Sequence, residues 1–272
     1  MRKKHYVVNK LYLLLVFAFL YLPILVLIVY SFNSSKSFSL FTGFSFEWYV
    51  RLFQNRSIMA ALGATLIIAV VASVVSTILG TAAAIGIHAM GKQVRAVVVN
   101  ITYLPILNPE IVTGVSLMLL FSVMKFISSG MVRLILAHIM FCVPYVVLNV
   151  MPKLRQMDPN LNDAALDLGC DPRQAFVKVV VPQILPGIIS GFLMAFTYSI
   201  DDFIVSYFVA GPDVQTLPIY IYSMLKVRVS PEINALSAII FVIVLAALVL
   251  MNLRDLKPGK KAARAKRRRA EA

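Results

Sequence analysis

Ser57-Ile-Met-Ala-Ala-Leu-Gly-Ala-Thr-Leu-Ile-Ile-Ala-Val-Val-Ala-Ser-Val-Val-Ser-Thr-Ile-Leu-Gly-Thr-Ala-Ala-Ala-Ile-Gly-Ile-His-Ala-Met-Gly91 runs from Arg56 to Lys92 without a charged residue. A helix crossing a hydrocarbon layer of about 30 Å needs about 20 mostly apolar residues, so this stretch is long enough to span a bilayer. Working outward, five further windows meet the same condition. Residues 11–35 and 134–152 carry no charge, and 96–124 carry only Glu110. Residues 179–200 are clear up to Asp201, and 233–253 are clear up to Arg254. Lipid offers the backbone no hydrogen-bond partner, so the windows must be helical. Spans are expected near 11–31, 60–89, 99–124, 132–151, 184–209 and 234–253. The expected class is an all-α polytopic membrane protein with six transmembrane helices.

Composition agrees. Apolar residues make up 60% of the 272 and charged residues 14%, whereas soluble domains run near 45–50% and about 25%. So few charges cannot cover a water-facing surface. The 26 Lys and Arg against 12 Asp and Glu give a net charge of +14, which on a soluble chain would suggest nucleic acid. Placed along six spans, the basic residues report orientation instead. With the amino terminus inside, nineteen of them fall on inner segments and seven on outer ones. Both termini are therefore expected in the cytoplasm. The expected organisation is a cytoplasmic 1–10, a transmembrane domain 11–253 containing a cytoplasmic loop 152–183, and a basic cytoplasmic tail 254–272. The tail reads as a flank resting on anionic membrane lipid, not a nucleic-acid patch. The first apolar run is too long for a cleaved leader and no small-residue cleavage pattern follows it, so a retained helix is expected.

Several patterns carry no chemistry. Gly86-Ile-His-Ala-Met-Gly91-Lys92 matches part of a phosphate loop, but Gln93 replaces the Ser/Thr that would hold magnesium, and the run ends a membrane helix. Cys142 and Cys170 lie in different compartments, and His5, His88 and His138 are scattered, so no metal set is expected. No nucleophile–base constellation or dinucleotide fingerprint occurs, and the chain is expected not to be an enzyme. Small residues recur at Ala72, Ser76, Gly80 and Ala84, and at Gly187-Ile-Ile-Ser-Gly191. Such stripes let helix backbones approach closely in lipid.

The loop after the fourth span is ordered in character. Asp158-Pro159 opens it, Asn162–Leu168 suits a short helix, and Gly169 breaks that helix. Asp171-Pro172 caps a second, expected to end at Pro182. A displayed helix–turn–helix suits docking into another protein, although a plain connector fits as well. Asp163-Ala164-Ala165-x-x-x-Gly169, followed by Val179-x-Val181-Pro182, resembles the EAA loop of ABC-importer permeases, Glu-Ala-Ala-x3-Gly-x9-Ile-x-Leu-Pro. Asp replaces Glu at 163 and Val replaces Ile and Leu at 179 and 181. The resemblance implies a type I ABC importer permease fold in the inner membrane. It implies that Asp163, Ala164, Ala165, Gly169, Val179 and Pro182 form a coupling helix docked on an ATPase dimer. It also implies a homologous second permease forming a heterodimer and an extracytoplasmic substrate-binding protein. No cofactor is expected in this chain, ATP and magnesium being held by the ATPase. Ala195–Phe203, Phe208–Pro212, Thr216–Met224 and Val229–Leu236, with Trp48 and Asn108-Pro109-Glu110, resemble spermidine/putrescine permeases of the second, PotC type. Importers of another small solute, such as an aminophosphonate or ferric ion, share this pattern. A secondary transporter is the alternative of another class, but no internal symmetry of broken helices is visible.

Acidic residues at membrane depth are the substrate clue. Only Glu110, Asp201 and Asp202 lie within or at the edge of the spans, where a carboxylate normally faces a pathway or a partner. Trp48, Tyr198, Tyr207 and Tyr220 offer ring faces to ammonium groups. Other readings stay open: a helix cap or a partner ion pair for the aspartates, a structural hydrogen bond for Glu110, and an interface belt for the tyrosines.

Overall fold

The computed structural model describes residues 2–35, 40–124, 127, 129–158, 160–227 and 231–255. Nearly all of the basic tail lies outside these, as do Lys36, Lys125 and Arg228 of the expected outer segments. The described elements are helices: α1 (Arg2–Ser31), α2 (Glu47–Gln54), α3 (Arg56–Ala89), α4 (Lys92–Leu107), α5 (Glu110–Val123) and α6 (Gly130–Gln156). Then follow α7 (Leu161–Asp167), α8 (Pro172–Ala175), a π-helical turn Phe176–Val180, α9 (Val181–Asp201), α10 (Ile204–Val209), α11 (Leu217–Val227) and α12 (Pro231–Asp255). Four helical stretches are long and apolar enough to cross a membrane: Lys10–Ser31, Arg56–Ala89, Gly130–Gln156 and Pro172–Asp201. The bent pair α4–α5 makes a fifth if it counts as one span. α12 contributes the shorter apolar stretch Pro231–Ile243.

Three expectations need correction. The helix expected at 99–124 is two helices bent by 95°. Pro109 has no N–H to donate and pushes Asn108 out of the helical region, to ψ 134°. The backbone restarts at Pro109, whose carbonyl accepts the N–H of Val112 at 2.9 Å, while the Asn108 side chain (Nδ2) donates to Thr113 Oγ1 at 2.9 Å across the bend. The helix expected at 184–209 stops at Asp201 and restarts at Ile204. The second loop helix does not end at Pro182, since helix runs from Pro172 through the π turn and on to Asp201. Pro182 sits in the first turn of α9, where a missing N–H is tolerated.

The chain divides into two compact units, 1–56 with 224–272, and 57–223. In the first, α2 buries Trp48 and Leu52. The Trp48 indole N–H donates to the Asn33 carbonyl at 2.6 Å, and Asn55 Nδ2 donates to Glu232 Oε2 at 3.2 Å. Residues 11–27 of α1 are apolar and almost wholly exposed, as a lipid-covered helix should be.

In the second unit α6 is the central strut, and both small-residue stripes pack on it. A Cβ at Gly80 of α3 would stand 2.6 Å from Val146 Cβ. Ser76 Oγ donates to the Ile139 carbonyl at 3.3 Å, and Ala72 and Ala84 are fully buried. From α9, a Cβ at Gly187 would meet the Asn149 carbonyl oxygen at 2.8 Å, and one at Gly191 would meet Val146 Cα at 3.2 Å. Replacing Gly80 by Val is expected to destabilise by about 1–3 kcal/mol through overpacking. Gly63 of the same helix faces open space, so Gly63→Ala should leave the thermal midpoint in detergent nearly unchanged. Equal midpoints for both variants would contradict the close packing.

At one end of α6, Asp213 Oδ2 accepts the Gly130 N–H at 3.1 Å. This bond, aided by the Arg133 charge, holds the Asp213 carboxyl below the usual carboxylate range. A depressed folded-state value means the ionised cap stabilises above the unfolded carboxylate's pKa and is lost as pH falls through the folded one. Wild type should therefore lose midpoint on acidification faster than Asp213→Asn. Parallel acid profiles would contradict the cap.

Candidate functional site

The two helix breaks of the second unit meet at a cavity of about 370 Å³. Pro105, Ile106, Asn108, Glu110 and Thr113 line it from α4–α5, Phe141 and Tyr145 from α6, and Tyr198 with Asp201 to Val205 from α9–α10. An apolar groove at the same α4–α5 bend shares Pro105, Asn108 and Thr113 with it. Of the residues singled out from sequence, Glu110, Tyr198, Asp201 and Asp202 come together here, although Glu110 and Asp201 lie far apart in the chain.

The adjacent aspartates are split. Asp201 is exposed on the last turn of α9. The Asp202 side chain is only 7% exposed; its Oδ1 accepts the Val205 N–H at 3.3 Å and its Oδ2 the Ser206 N–H at 2.7 Å, donors that open α10. The capping alternative thus describes Asp202. Glu110 is exposed in the first turn of α5. Tyr198 stacks on Tyr145, with ring centroids 4.2 Å apart and 17° between planes.

Trp48 and Tyr220 are not among the lining residues. Trp48, in the first unit, is 3% exposed, and the Arg51 guanidinium lies 5.2 Å from its ring centroid. Tyr220 is half-buried on α11. Tyr207 is exposed and packs with Phe203 and Tyr222.

Helix polarity adds to the side chains. α4 and α9 end at the cavity, where terminal carbonyls give a partial negative charge. α5 and α10 begin there, but Glu110 and Asp202 sit at their positive ends. What remains is an electronegative hollow with a tyrosine pair in its wall, suited to an organic cation.

Sequence reading missed Tyr145, Thr113 and His138. Tyr145 carried no signal beyond lying in a span. His138 had one, because an ionisable residue in mid-span is rare. It is 1% exposed on α6 and bonds Ser199 and Ser206.

A second candidate region lies in the 152–183 segment. α7 ends in a Schellman turn: the Cys170 N–H bonds the Ala165 carbonyl at 3.1 Å and the Gly169 N–H bonds the Leu166 carbonyl at 2.9 Å. Gly169 has φ +86°, a conformation that disfavours side chains. Asp171 caps α8 by accepting the Gln174 N–H at 2.8 Å. Asp163, Ala164 and Pro182 are exposed, Val179 is half-buried and Ala165 is buried. Leu168 is 87% exposed and Val177 61%, an apolar display on a segment flanked by charges.

The chain is similar to several known proteins. It is 41% identical over 235 residues to the putrescine transport system permease protein PotI of Escherichia coli K12, covering 84% of this chain and 83% of the relative. Against the spermidine/putrescine transport system permease protein PotC of Haemophilus influenzae it is 38% identical over 242 residues, covering 89% and 94%. PotC of Escherichia coli K12 is 37% identical over 246 residues, covering 90% and 93%. Residues 76–256 match the family described as binding-protein-dependent transport system inner membrane component. With four or five helices long and apolar enough to cross a membrane and a matched region spanning most of the chain, this protein belongs to that family of inner-membrane transport permeases.

Proposed function

We propose that the chain is the transmembrane permease subunit of an ATP-driven importer that moves polyamines, putrescine or spermidine, across the inner membrane. The observation that carries this reading is the cavity where two broken helices bring Glu110, Asp201 and the Tyr145–Tyr198 stack together. Carboxylates there take ammonium groups in charge-assisted hydrogen bonds, and the ring faces take the methylene chain and its cationic ends. Permeases named for putrescine and spermidine among the relatives support the same cargo. An aminophosphonate, carrying negative charge, is disfavoured by the same acids.

In this reading six spans place both termini in the cytoplasm, with the bent α4–α5 pair as one span and α12 as the last. Asp163, Ala164, Ala165, Gly169, Val179 and Pro182 form the segment that couples to an ATPase dimer, with α7 as the coupling helix and buried Ala165 seating it. A second, homologous permease completes the path and an external binding protein delivers cargo. ATP and magnesium belong to the ATPase. Closure of the ATPase dimer pushes α7, and because helix is continuous from Pro172 to Asp201, the push reaches the α9 end of the cavity. The bundle then switches its opening from one side to the other as a nucleotide-biased rigid-body change.

The test is competition during uptake by the whole complex in proteoliposomes. Labelled putrescine should be displaced by spermidine and ignored by aminoethylphosphonate. Displacement by the phosphonate and not by spermidine would overturn the cargo.

A further inference from the structure

His138 of α6 lies at the break between α9 and α10. Its Nδ1 is 2.6 Å from Ser199 Oγ on α9, and its Nε2 is 3.1 Å from Ser206 Oγ on α10. Nε2 is 3.6 Å from Asp202 Oδ2, too far for a direct hydrogen bond. Ser206 also gives its backbone N–H to Asp202 Oδ2 at 2.7 Å. One placement of protons on a singly protonated ring suits its surroundings. An ionised Asp202 accepts only, so its oxygen 3.6 Å away favours the ring proton on Nε2. The Ser206 oxygen then accepts from Nε2–H, and Nδ1 accepts from the Ser199 hydroxyl. This chain starts on α9, passes through α6 and ends on Ser206, whose backbone N–H holds the acid that caps α10.

A carboxylate so little exposed is costly unless its oxygens are matched. Here they are, and Asp202 stays turned into the packing although it borders the cavity. Asp201, one residue earlier, is exposed and makes no hydrogen bond or ion pair among the described residues. We propose that His138 is a positioning residue for substrate choice: it holds Asp202 in the wall, so that of the two adjacent acids only Asp201 presents its charge to cargo. This rests on the reading of the cavity as a cation path. Removing the imidazole frees Ser206 and loosens the start of α10, whose two amides hold Asp202, and the carboxylate turns to the water of the cavity. Cargo then meets one more negative charge.

The readout is selectivity, which does not depend on how much protein reaches the membrane. In proteoliposomes holding the whole complex, KM is measured for putrescine, a dication, and spermidine, a trication. His138→Ala should shift the KM ratio roughly fivefold in favour of spermidine, the effect of one added unit charge a few ångströms away in a water-like dielectric. His138→Ala with Asp202→Asn should restore the wild-type ratio, since the released group is then uncharged. An unchanged ratio in His138→Ala, or a shift that survives Asp202→Asn, overturns the proposal. If His138→Ala does not fold, Ser206→Ala cuts the same chain at its last link, and an unchanged ratio there overturns it equally. Asp201→Asn separates the two levels: if it leaves both KM values untouched, the cavity reading fails. If it raises them while His138→Ala leaves the ratio alone, only the role of His138 fails.

Discussion

Replacing Asp201 by Asn is expected to lower the uptake efficiency of a diamine by about tenfold or more, and adding Glu110→Gln to lower it further. A hydrogen bond to a charged group is worth about 1.5–3 kcal/mol, and each 1.4 kcal/mol is a factor of about ten. Asn and Gln keep shape and hydrogen bonding while removing charge, and neither acid is needed to satisfy a buried neighbour. Asp201 is exposed at the end of α9, and Glu110 opens α5 in a helix already started by the Pro109 carbonyl. The loss should therefore fall on KM with the complex still assembled. It should also be steeper for spermidine than for putrescine. Kinetics unchanged in the double variant, at normal membrane levels, would remove the cavity from the substrate path.

The second large effect is expected at Gly169. A side chain there meets no atom within 4 Å, yet the backbone sits at φ +86°. Any loss on substitution thus reports backbone conformation and not crowding. A β-branched residue in that region costs roughly 1–2 kcal/mol or more, enough to populate other turns and misdirect α7. Gly169→Val should leave the permease in the membrane but cut uptake per ATPase by roughly tenfold. Asn tolerates the left-handed region, so Gly169→Asn should recover most of it. If Val and Asn behave alike, the turn does not govern coupling.

Sequence was most informative where physics is one-dimensional. A charge-free window is a length criterion, and the long apolar helices α3 and α6 and the run ending in α9 lie where the windows put them. The Ala72–Ala84 and Gly187–Gly191 stripes announced close packing. That both face α6 was not readable, because spacing within a helix does not name its partner. Breaks were the main failure. Pro109 signalled a weak point, but whether a proline kinks a helix gently or turns it through 95° depends on who takes the freed groups. Here the Pro109 carbonyl takes the Val112 and Thr113 N–H groups and restarts the helix, and the Asn108 and Thr113 side chains bond across the bend. The stop at Asp201 had no proline or glycine to mark it. It is held by long-range contacts from His138, whose partners lie 61 and 68 residues away and leave no local spacing to read. For the same reason Asp201 and Asp202 looked equivalent in sequence, while the fold caps α10 with one and exposes the other. Trp48 looked like a free ring, and tertiary contacts with Asn33 and Arg51 occupy it.

The central claim is that this permease moves an organic polycation only when an ATPase drives it. The most direct measurement is labelled putrescine uptake in proteoliposomes, with the permease pair and binding protein present and the ATPase subunit either included or omitted. Uptake that requires both the ATPase and ATP, and that falls with Asp201→Asn, is the predicted result. Uptake by the permeases alone, at a rate indifferent to ATP, would contradict the account.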